Sequence, residues 1–260
     1  MRLGDCKALV TGSAVRIGRA IVEALADAGC GALIHCHRSA DEAKALARDL
    51  SRKTWVAVVQ GDLALASERQ RVLEEAWERS GGFQILVNNA SIFHKDGLES
   101  ATDGKLAREL QVNYWAPTWL AQAFYQKLMQ GRDVSGKSGS GRILGKVVHL
   151  LDQRVAGDDP ACIPYMVSKK MLAQSMRESA VDWAPHVTVN GVAPGAILPA
   201  RRSSEGAVAE SIAREAAGPE LLAGPCGPAE VAEAVLYILR TDTMTGQILF
   251  VDNGQHLLWK

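Results

Sequence analysis

The sequence has little of several features that each mark a particular class of protein. Its five cysteines are odd in number and include no C-x-x-C pair, so neither a disulfide framework nor a cysteine-bound metal is expected. No apolar run approaches the ~20 residues of a membrane span, and the first residues lack the apolar core of a signal peptide. Because 29 lysines and arginines balance 29 aspartates and glutamates, net charge predicts neither nucleic acid nor a membrane as a partner. We therefore expect a cytoplasmic protein with reduced thiols.

What the sequence does contain is an alternation of short apolar segments with longer segments of helical periodicity. Near-continuous apolar segments predict buried strands, and apolar residues at helical spacing predict helices. The predicted strands are 7–10, 32–36, 55–59, 84–88, 145–151, 187–192 and 246–251, and the predicted helices are 17–28, 40–51, 67–80, 103–130, 165–184 and 228–240. Pro117 is expected to bend the fourth helix. This alternation predicts an α/β fold: a single-domain, Rossmann-like, doubly wound parallel sheet of seven strands with helices on both faces.

Two stretches interrupt the alternation. The segment 131–141 is rich in glycine and serine, which predicts a flexible surface connection. Residues 199–224 form a second irregular stretch with a helix expected near 205–216, and their length and position predict a lid over a ligand. Neither stretch marks a second domain, so we expect residues 1–260 to fold as one.

The turn after the first strand, in "VTGSAVRIGRAIVEAL", predicts a pyrophosphate-binding site. Unpaired amides and the helix dipole favour an anion at the start of the following helix. Gly12 and Gly18 follow the pattern Gly-x-x-x-Gly-x-Gly, but the middle glycine is replaced by Arg16. Arginine loses backbone freedom there and adds a planar donor fork able to hold phosphate or a flat polar substrate. An ordinary tight turn would explain the same glycines.

The end of the second strand indicates which dinucleotide would bind. NAD enzymes place an acidic side chain there for the ribose 2′-hydroxyl, and that charge would repel the 2′-phosphate of NADP. Here "IHCHRSADEA" offers His37, Arg38 and Ser39 as cationic or neutral donors, which predicts NADPH as the cofactor. A solvated turn with a helix-capping serine is the alternative interpretation.

Polar residues follow two further strands. Asp62 in "QGDLA" is a candidate acceptor for the adenine amino group, with Leu63 packing nearby. Small and amide side chains end the fourth strand in "LVNNAS" and would let backbone approach the cofactor ribose: Asn88, Asn89, Ala90 and Ser91. Each is unremarkable alone, and Asn-Asn after a strand is often only a turn.

Tyr165 and Lys169, four residues apart, lie on one face of a predicted helix. An ammonium near a phenol favours the phenolate, so Lys169 is expected to lower the Tyr165 pKa from about 10 and to ease proton exchange near neutral pH. Lys169 can also hold the nicotinamide ribose. Such a spacing also arises by chance as a surface pair, but Asp152 stands thirteen residues before the tyrosine and "VTVNGVAPG" follows it, which makes the pattern specific.

The chain as a whole resembles the short-chain dehydrogenase/reductase family. The motifs come in the family's order and span almost all of the sequence: "TGSAVRIG" at 11–18, "GDL" at 61–63, "NNA" at 88–90, "VN" at 112–113, "YMVSK" at 165–169, "NGVAPG" at 190–195 and "VDNG" at 251–254. Within the family it is most similar to pteridine reductases and bacterial dihydromonapterin reductases. That narrower resemblance depends on Arg16, on "HCHRSADEA", on "NNASIF" with Ser91 and Phe93, and on Asp152 where the broad family has serine.

The resemblance implies a reaction. In a carbonyl reductase the serine donates to the substrate oxygen, whereas a pterin presents ring nitrogens and an amino edge that suit the Asp152 carboxyl group. Hydride would pass from NADPH to a carbon of the pterin C=N unit. Tyr165, assisted by Asp152 and Lys169, would supply a proton to the ring nitrogen.

The remaining roles also follow from the resemblance. Phe93 would stack on the pterin opposite the nicotinamide, with Arg16 and Ser91 on its polar edge, while Asn113 would support a water near Lys169. The implied cofactor contacts are Gly12, Arg16, Ile17, Gly18, His37, Arg38, Ser39, Asp62, Leu63, Asn89, Ala90, Ser91, Tyr165, Lys169, Pro194, Gly195 and Ile197.

Several further expectations concern the surroundings of this site. Pro199 replaces a threonine common in the broad family, so contacts from 196–199 should come from backbone. His149 is interpreted as a core residue, and Asp158 and Asp159 as turn residues before Pro160. The family usually forms tetramers on the helices around 103–130 and 165–184, and tails can approach a neighbour's site, for which the candidates are His256 and Trp259.

Three functions remain open at this point. The first is NADPH-dependent reduction of a pterin or folate, from the dihydro to the tetrahydro form. The second is reduction of a carbonyl, such as a quinone or a 3-oxoacyl thioester, against which Asp152 and Phe93 argue. The third is a non-catalytic NADP(H) sensor or scaffold, which the presence of Tyr165 and Lys169 makes the weakest of the three.

Overall fold

A computed structural model describes residues 1–130, 143–195, 197, 221–223 and 226–258. The predicted surface connection at 131–141 lies outside these residues, as do Pro199, Trp259 and all of the predicted lid at 199–224 except residues 221–223.

Short strands alternate with helices along the described chain. The strands are β1 (Lys7–Val10), β2 (Gly31–Cys36), β3 (Val56–Gln60), β4 (Ile85–Asn88), β5 (Gly145–Leu150), β6 (Val187–Pro194) and β7 (Ile248–Val251). The helices are α1 (Arg16–Asp27), α2 (Ala40–Leu50), α3 (Ala66–Ser80), α4 (Asp103–Leu110), α5 (Ala116–Met129), α6 (Ile163–Asp182) and α7 (Pro228–Arg240). Most predicted ends differ from these by one or two residues.

All seven strands pair in parallel in one sheet, in the order β3-β2-β1-β4-β5-β6-β7. One core layer buries side chains of α1, α2 and α7, and the other buries side chains of α3, α5 and α6, so helices cover both faces. The winding reverses between β1 and β4, and sheets of this kind bind ligands beside that point at the carboxyl ends of the strands. The predicted doubly wound α/β fold is confirmed.

Burial separates the central strands from the edge strands. Every residue of β2, β4, β5 and β6 is buried, as their apolar sequences predict. In β3, by contrast, exposure alternates along the strand, and all four residues of β7 are only half-buried. The prediction of buried strands was therefore wrong for these two. The reason is their position, because an edge strand has a neighbour on one side only and less cover from the helices.

The predicted helix at 103–130 is divided by a π-helical turn, Gln111–Trp115, rather than bent at Pro117. Pro117 lies in the first turn of α5, and the Ala116 N–H bonds to the Gln111 carbonyl five residues back. Proline lacks an N–H and crowds the carbonyl four residues before it, so a wider turn just ahead of Pro117 relieves the clash. The π-helical turn carries Asn113 toward the carboxyl edge of the sheet.

Candidate active site

Tyr165 and Asp152 meet at the carboxyl end of β5. Asp152 follows that strand, and Tyr165 lies in the first turn of α6, just after Pro164. The Tyr165 hydroxyl donates a hydrogen bond to Asp152 Oδ2 over 3.0 Å. Asp152 Oδ1 accepts from the Arg154 backbone N–H at 2.9 Å and so caps the short 3-10 turn Gln153–Val155. The carboxylate therefore points at the phenol, as its expected role requires.

The expectation that Lys169 lowers the Tyr165 pKa is wrong for this arrangement. The Lys169 ammonium donates to the Leu150 carbonyl at 2.7 Å and lies 5.8 Å from the centroid of the Tyr165 ring. Burial first, and then the negative charge of Asp152, raise the pKa of Tyr165 well above 10. Burial also lowers the pKa of Lys169 to about 8. Tyr165 is thus held as a neutral phenol, in the form that donates a proton.

Two residues that the sequence analysis did not assign to the site complete this cluster. The Arg154 Nη1 group lies 3.2 Å from Asp152 Oδ1, and its Nε donates to Asp159 Oδ2 at 2.8 Å. Asp159 was interpreted as a turn residue, and its Oδ1 does accept from the Ala161 N–H two residues on, but it is also an ion-pair partner inside the site. Asp158 is exposed and pairs with Lys170 at 2.6 Å, in keeping with a surface turn. Only the folded loop shows which of the two acids turns inward.

The loop after β4 is clamped to the helix that follows it. Asn113 is buried, and its Oδ1 accepts from Ser91 Oγ and the Ile92 N–H, each at 2.9 Å. Its Nδ2 donates to the Ile92 carbonyl at 2.9 Å and to Ser168 Oγ at 3.2 Å. Clamping the loop is a role that the sequence did not suggest for Asn113, while support of a water near Lys169 stays a prediction.

Phe93 lies on this clamped loop and is not part of the core. Its side chain is 45% exposed, and its ring meets the Tyr165 ring edge-on, with centroids 4.8 Å apart. The next residue is also held, because Glu109 Oε1 accepts from the His94 N–H at 2.8 Å. Anchors on both sides of Phe93 therefore hold its ring beside the phenol, with nearly half of its side chain exposed.

The glycine-rich turn has the backbone geometry that a phosphate site needs. Gly12 has φ +62° and Arg16 has φ +57°, both in the left-handed region. A residue with a Cβ costs about 1 kcal/mol there, so Arg16 occupies a position that favours glycine. A Cβ at Gly18 would lie 2.5 Å from both Asn89 Nδ2 and the Gly12 carbonyl oxygen, so α1 can approach β4 only with glycine at this position.

Thr11, which was not predicted, ties this turn to the end of β4. Its Oγ1 accepts from the N–H groups of Asn89 and Ala90, both at 2.9 Å. Asn89 Nδ2 in turn donates to the carbonyls of Thr11 and Gly12, at 2.9 and 3.0 Å. Ile17, in the first turn of α1, packs half-buried against the core. The predicted phosphate and ribose segments therefore form one connected surface.

Arg108, which the sequence analysis did not assign to the site, lies where the adenosine end of the cofactor is predicted to bind. His37 and Arg38 are exposed at the end of β2, while Ser39 is buried at the N-cap of α2. Asp62 Oδ2 lies 3.0 Å from Arg108 Nη2 and 3.9 Å from His37 Nε2. Burial raises the pKa of Asp62, but the Ala64 N–H and the Arg108 guanidinium outweigh it and lower that pKa overall. The side chain of Leu63, by contrast, is buried in the core, which leaves its backbone for a ligand.

The remaining predicted residues line the same edge. Pro194 ends β6, and the Gly195 N–H donates to the Val251 carbonyl at 2.9 Å. Ile197 packs against the core. His149 is buried as predicted, and burial together with Lys169 lowers its pKa to about 3, which keeps it neutral. His256 bonds to Asp252 of its own chain at 2.8 Å, so its contact with a neighbouring subunit stays a prediction.

Neither a metal-binding cluster nor a membrane-spanning helix occurs among the described residues. No group of three His, Cys, Asp or Glu side chains within them is arranged to hold a metal ion. None of the helices in the part of the chain that the structure covers has the length and apolar character needed to cross a membrane.

Known proteins resemble this chain over nearly its whole length. The family model described as enoyl-(acyl carrier protein) reductase matches residues 12–256. A solved structure of FolM alternative dihydrofolate reductase 1 from Brucella canis, complexed with NADP, has a TM-score of 0.86 and 33% identity and covers 100% of this chain and 97% of that chain. Pteridine reductase 1 of Leishmania tarentolae is 28% identical over 288 residues, with 96% of each chain covered. A ketoacyl reductase of the granaticin polyketide synthase of Streptomyces violaceoruber is 32% identical over 258 residues, again with 96% of each covered.

The similarity covers nearly the whole chain, and the carboxyl edge of its seven-stranded parallel sheet carries the Tyr165–Lys169 pair. These findings show that the chain belongs to the short-chain dehydrogenase/reductase family and is an oxidoreductase.

Proposed function

We propose that this protein is an NADPH-dependent pterin reductase, which reduces a dihydropterin or dihydrofolate to the tetrahydro form. The observation that carries the proposal is the hydrogen bond from the Tyr165 hydroxyl to Asp152, at the position where the broad family has serine. The pteridine reductase and the FolM dihydrofolate reductase among its relatives support the same substrate class. A cytoplasmic location belongs to the proposal and agrees with the lack of a disulfide among the described cysteines.

The residues at the carboxyl edge fit NADPH. Gly12 and Gly18 allow a close backbone approach at the N-terminus of α1, where amides and the helix dipole favour phosphate. His37 and Arg38 are exposed where a 2′-phosphate would lie, and Asp62, held by Arg108, would face the adenine. Lys169 would hold the nicotinamide ribose. Two solved relatives that contain NADP agree with this cofactor, which, when bound, supplies the hydride.

Side chains of the protein supply and direct the proton that the reduction needs. Tyr165 is a neutral phenol, so it can give its proton to the ring nitrogen next to the carbon that gains hydride, which completes the change from C=N to CH–NH. Asp152 holds the phenol in line and can accept from the amino edge of the ring. Once the proton has left, the positive charge of Lys169, 5.8 Å from the centroid of the Tyr165 ring, would partly offset the negative charge of the phenolate.

The shape of the site favours a flat heterocycle over a flexible ketone. Phe93 presents a partly exposed ring beside the phenol, which suits stacking on a pterin. Arg16 and Ser91 are both exposed at the same edge and would bond the polar rim of that ring. These contacts have no counterpart in a small acyclic carbonyl.

Carbonyl reduction is the second candidate function. The specific observation in its favour is the 32% identity to a ketoacyl reductase, a value close to that for the dihydrofolate reductase. The presence of Asp152 in place of serine opposes it, because an acidic side chain next to the phenol repels the electron-rich oxygen of a ketone unless it is protonated. The non-catalytic alternative is opposed by the buried, hydrogen-bonded Tyr165 and Lys169.

A substrate comparison separates these functions. With purified protein and NADPH, we expect loss of the reduced-nicotinamide absorbance on adding dihydrobiopterin or dihydrofolate, and none on adding a quinone or a 3-oxoacyl thioester. Oxidation with the carbonyls alone would replace the proposal with the second function. Absence of turnover with every substrate, while NADPH still binds by fluorescence titration, would favour the sensor.

The substitution Asp152→Ser tests the residue that distinguishes the two reductase classes. Pterin turnover should fall by about 100-fold, because the phenol loses the acceptor that orients it for general-acid catalysis. The dissociation constant of NADPH should change little. Asp158→Ser is the matched control, since this exposed acid on the same segment should affect neither quantity. An equal loss of NADPH affinity in Asp152→Ser would contradict the role given to Asp152.

Arg38→Asp tests the cofactor preference. Removal of a charge-assisted contact, together with a new like charge, should lower kcat/KM for NADPH by about 100-fold and raise the relative use of NADH. Arg48→Asp, a reversal of an exposed charge on the helix α2 that follows Arg38, should leave both cofactors unaffected. If NADPH and NADH decline by the same factor, Arg38 does not recognise the 2′-phosphate.

The expected homotetramer has a candidate contact surface. Four exposed apolar side chains lie on α4, the π-helical turn and α6, the helices on which the family forms tetramers: Leu106, Trp115, Val167 and Met171. Trp115→Glu should lower the molar mass measured by light scattering, because a charge at a buried interface is unfavourable. Leu65→Glu, an exposed residue outside this surface, should not. An unchanged mass in Trp115→Glu would remove this surface from the assembly.

A further inference from the structure

Arg154 occupies an enclosed position between two carboxylates. Its side chain is only 13% exposed. Nη1 lies 3.2 Å from Asp152 Oδ1 and 3.4 Å from Asp152 Oδ2, while Nε donates to Asp159 Oδ2 at 2.8 Å. Together with the Arg154 backbone N–H and the Tyr165 hydroxyl, these bonds give Asp152 donors on both of its oxygens. Asp152 is thus held by a residue two positions further along the chain.

Two further hydrogen bonds hold the Asp159 carboxylate in place. Its Oδ2 accepts from the Cys162 thiol at 3.1 Å, and its Oδ1 accepts from the Ala161 N–H at 3.0 Å. Burial and the bond to Asp159 raise the pKa of the Cys162 thiol to about 12, so it stays a protonated donor. The anchor of the guanidinium is therefore fixed independently of Asp152 and Tyr165.

Arg154 is the cation that lies between the carboxylates of Asp152 and Asp159. The groups that face Asp152 are the Tyr165 phenol, the Lys169 ammonium, the Cys162 thiol, the second carboxylate Asp159, and Arg154 itself. Lys169 is committed to the Leu150 carbonyl. Without Arg154, two acids would share a poorly solvated site, and like charges in such a site favour protonation of one of them.

The same guanidinium reaches the aromatic wall of the site. Its central carbon lies 5.8 Å from the centroid of the Phe93 ring, within the range of a cation–π contact. Phe93 in turn meets the Tyr165 ring edge-on. One cation thus contacts both the acid beside the phenol and the ring expected to stack on the substrate.

We propose that Arg154 is a positioning residue of this site: it holds the Asp152 carboxyl group directed at the Tyr165 hydroxyl, with Asp159 as its anchor, and it steadies the Phe93 ring. Arg154 acts through these neighbours rather than on the substrate. Its effect on turnover rests on the proposed reduction of a pterin, whereas its effect on the positions of Asp152 and Phe93 does not.

The first measurement therefore needs no substrate. Aromatic NMR of protein with ring-labelled phenylalanine and tyrosine follows the Phe93 and Tyr165 rings, whose signals are assigned by their loss in Phe93→Leu and Tyr165→Phe. In Arg154→Gln both signals should shift or broaden, because the Phe93 ring loses the guanidinium beside it and Asp152 loses the donor that directs it at the phenol. Lys170→Gln removes an exposed cation from the Asp158 pair and should leave both signals in place. Unchanged ring signals in Arg154→Gln overturn the proposal.

The second measurement is the steady-state kinetics of pterin reduction. In Arg154→Gln kcat should fall by about 10-fold or more while the KM for NADPH changes little, because the phenol and the Phe93 ring are no longer held in place. Arg154→Lys, which keeps the charge but not the fork, should recover only part of this loss. Failure of every form, wild type included, to reduce a pterin would remove the proposed function and leave the NMR result to judge Arg154.

Asp159→Asn guards against a merely structural explanation. It keeps the shape of the anchor and its bond to the Ala161 N–H but weakens the charge-assisted bond to Arg154, so both ring signals should move in the same direction as in Arg154→Gln and by less. A larger change in Asp159→Asn than in Arg154→Gln would indicate general loosening of the loop and contradict the proposal. Thermal unfolding of each variant confirms that the comparison is made between folded proteins.

Discussion

The hydroxyl of Tyr165 donates to Asp152 over 3.0 Å, and much of the surrounding structure keeps these two groups together. Asp152 is placed by the end of β5 and by its cap on the next turn, while Tyr165 is placed by the start of α6. Burial determines where the proton of this bond stays. A phenol beside a carboxylate and away from water keeps its proton until a stronger acceptor binds. In the proposed reaction Lys169 would then act on the phenolate left after proton transfer rather than on the resting phenol.

The substrate side of the site depends on the break between α4 and α5. The π-helical turn presents Asn113 to the loop after β4, and the helix before it presents the buried Glu109. The two side chains hold the residues on either side of Phe93. A straight helix could not keep the same positions and also accommodate Pro117, so a local departure from regular geometry serves the placement of an aromatic ring.

Much of this could be derived from the chain itself. Apolar runs located the central strands, helical spacing located most helices, and the order of motifs placed Gly12, Asp152, Tyr165 and Lys169 at one edge of a parallel sheet. These features are encoded by short-range periodicity and by the rule that parallel strands end together. The exposure of the edge strands β3 and β7 could not be predicted in this way, because it depends on neighbouring elements that the local sequence does not specify.

The sequence by itself determined the doubly wound fold and the identity of the groups that gather at its carboxyl edge. Only the tertiary structure decided how those groups act: that Lys169 turns to the Leu150 carbonyl, that the pKa of Tyr165 rises, and that Asp159 rather than Asp158 turns inward to Arg154. Charge interactions and burial depend on distances between residues remote in the chain and on the exclusion of water, and neither is encoded in the spacing of residue types.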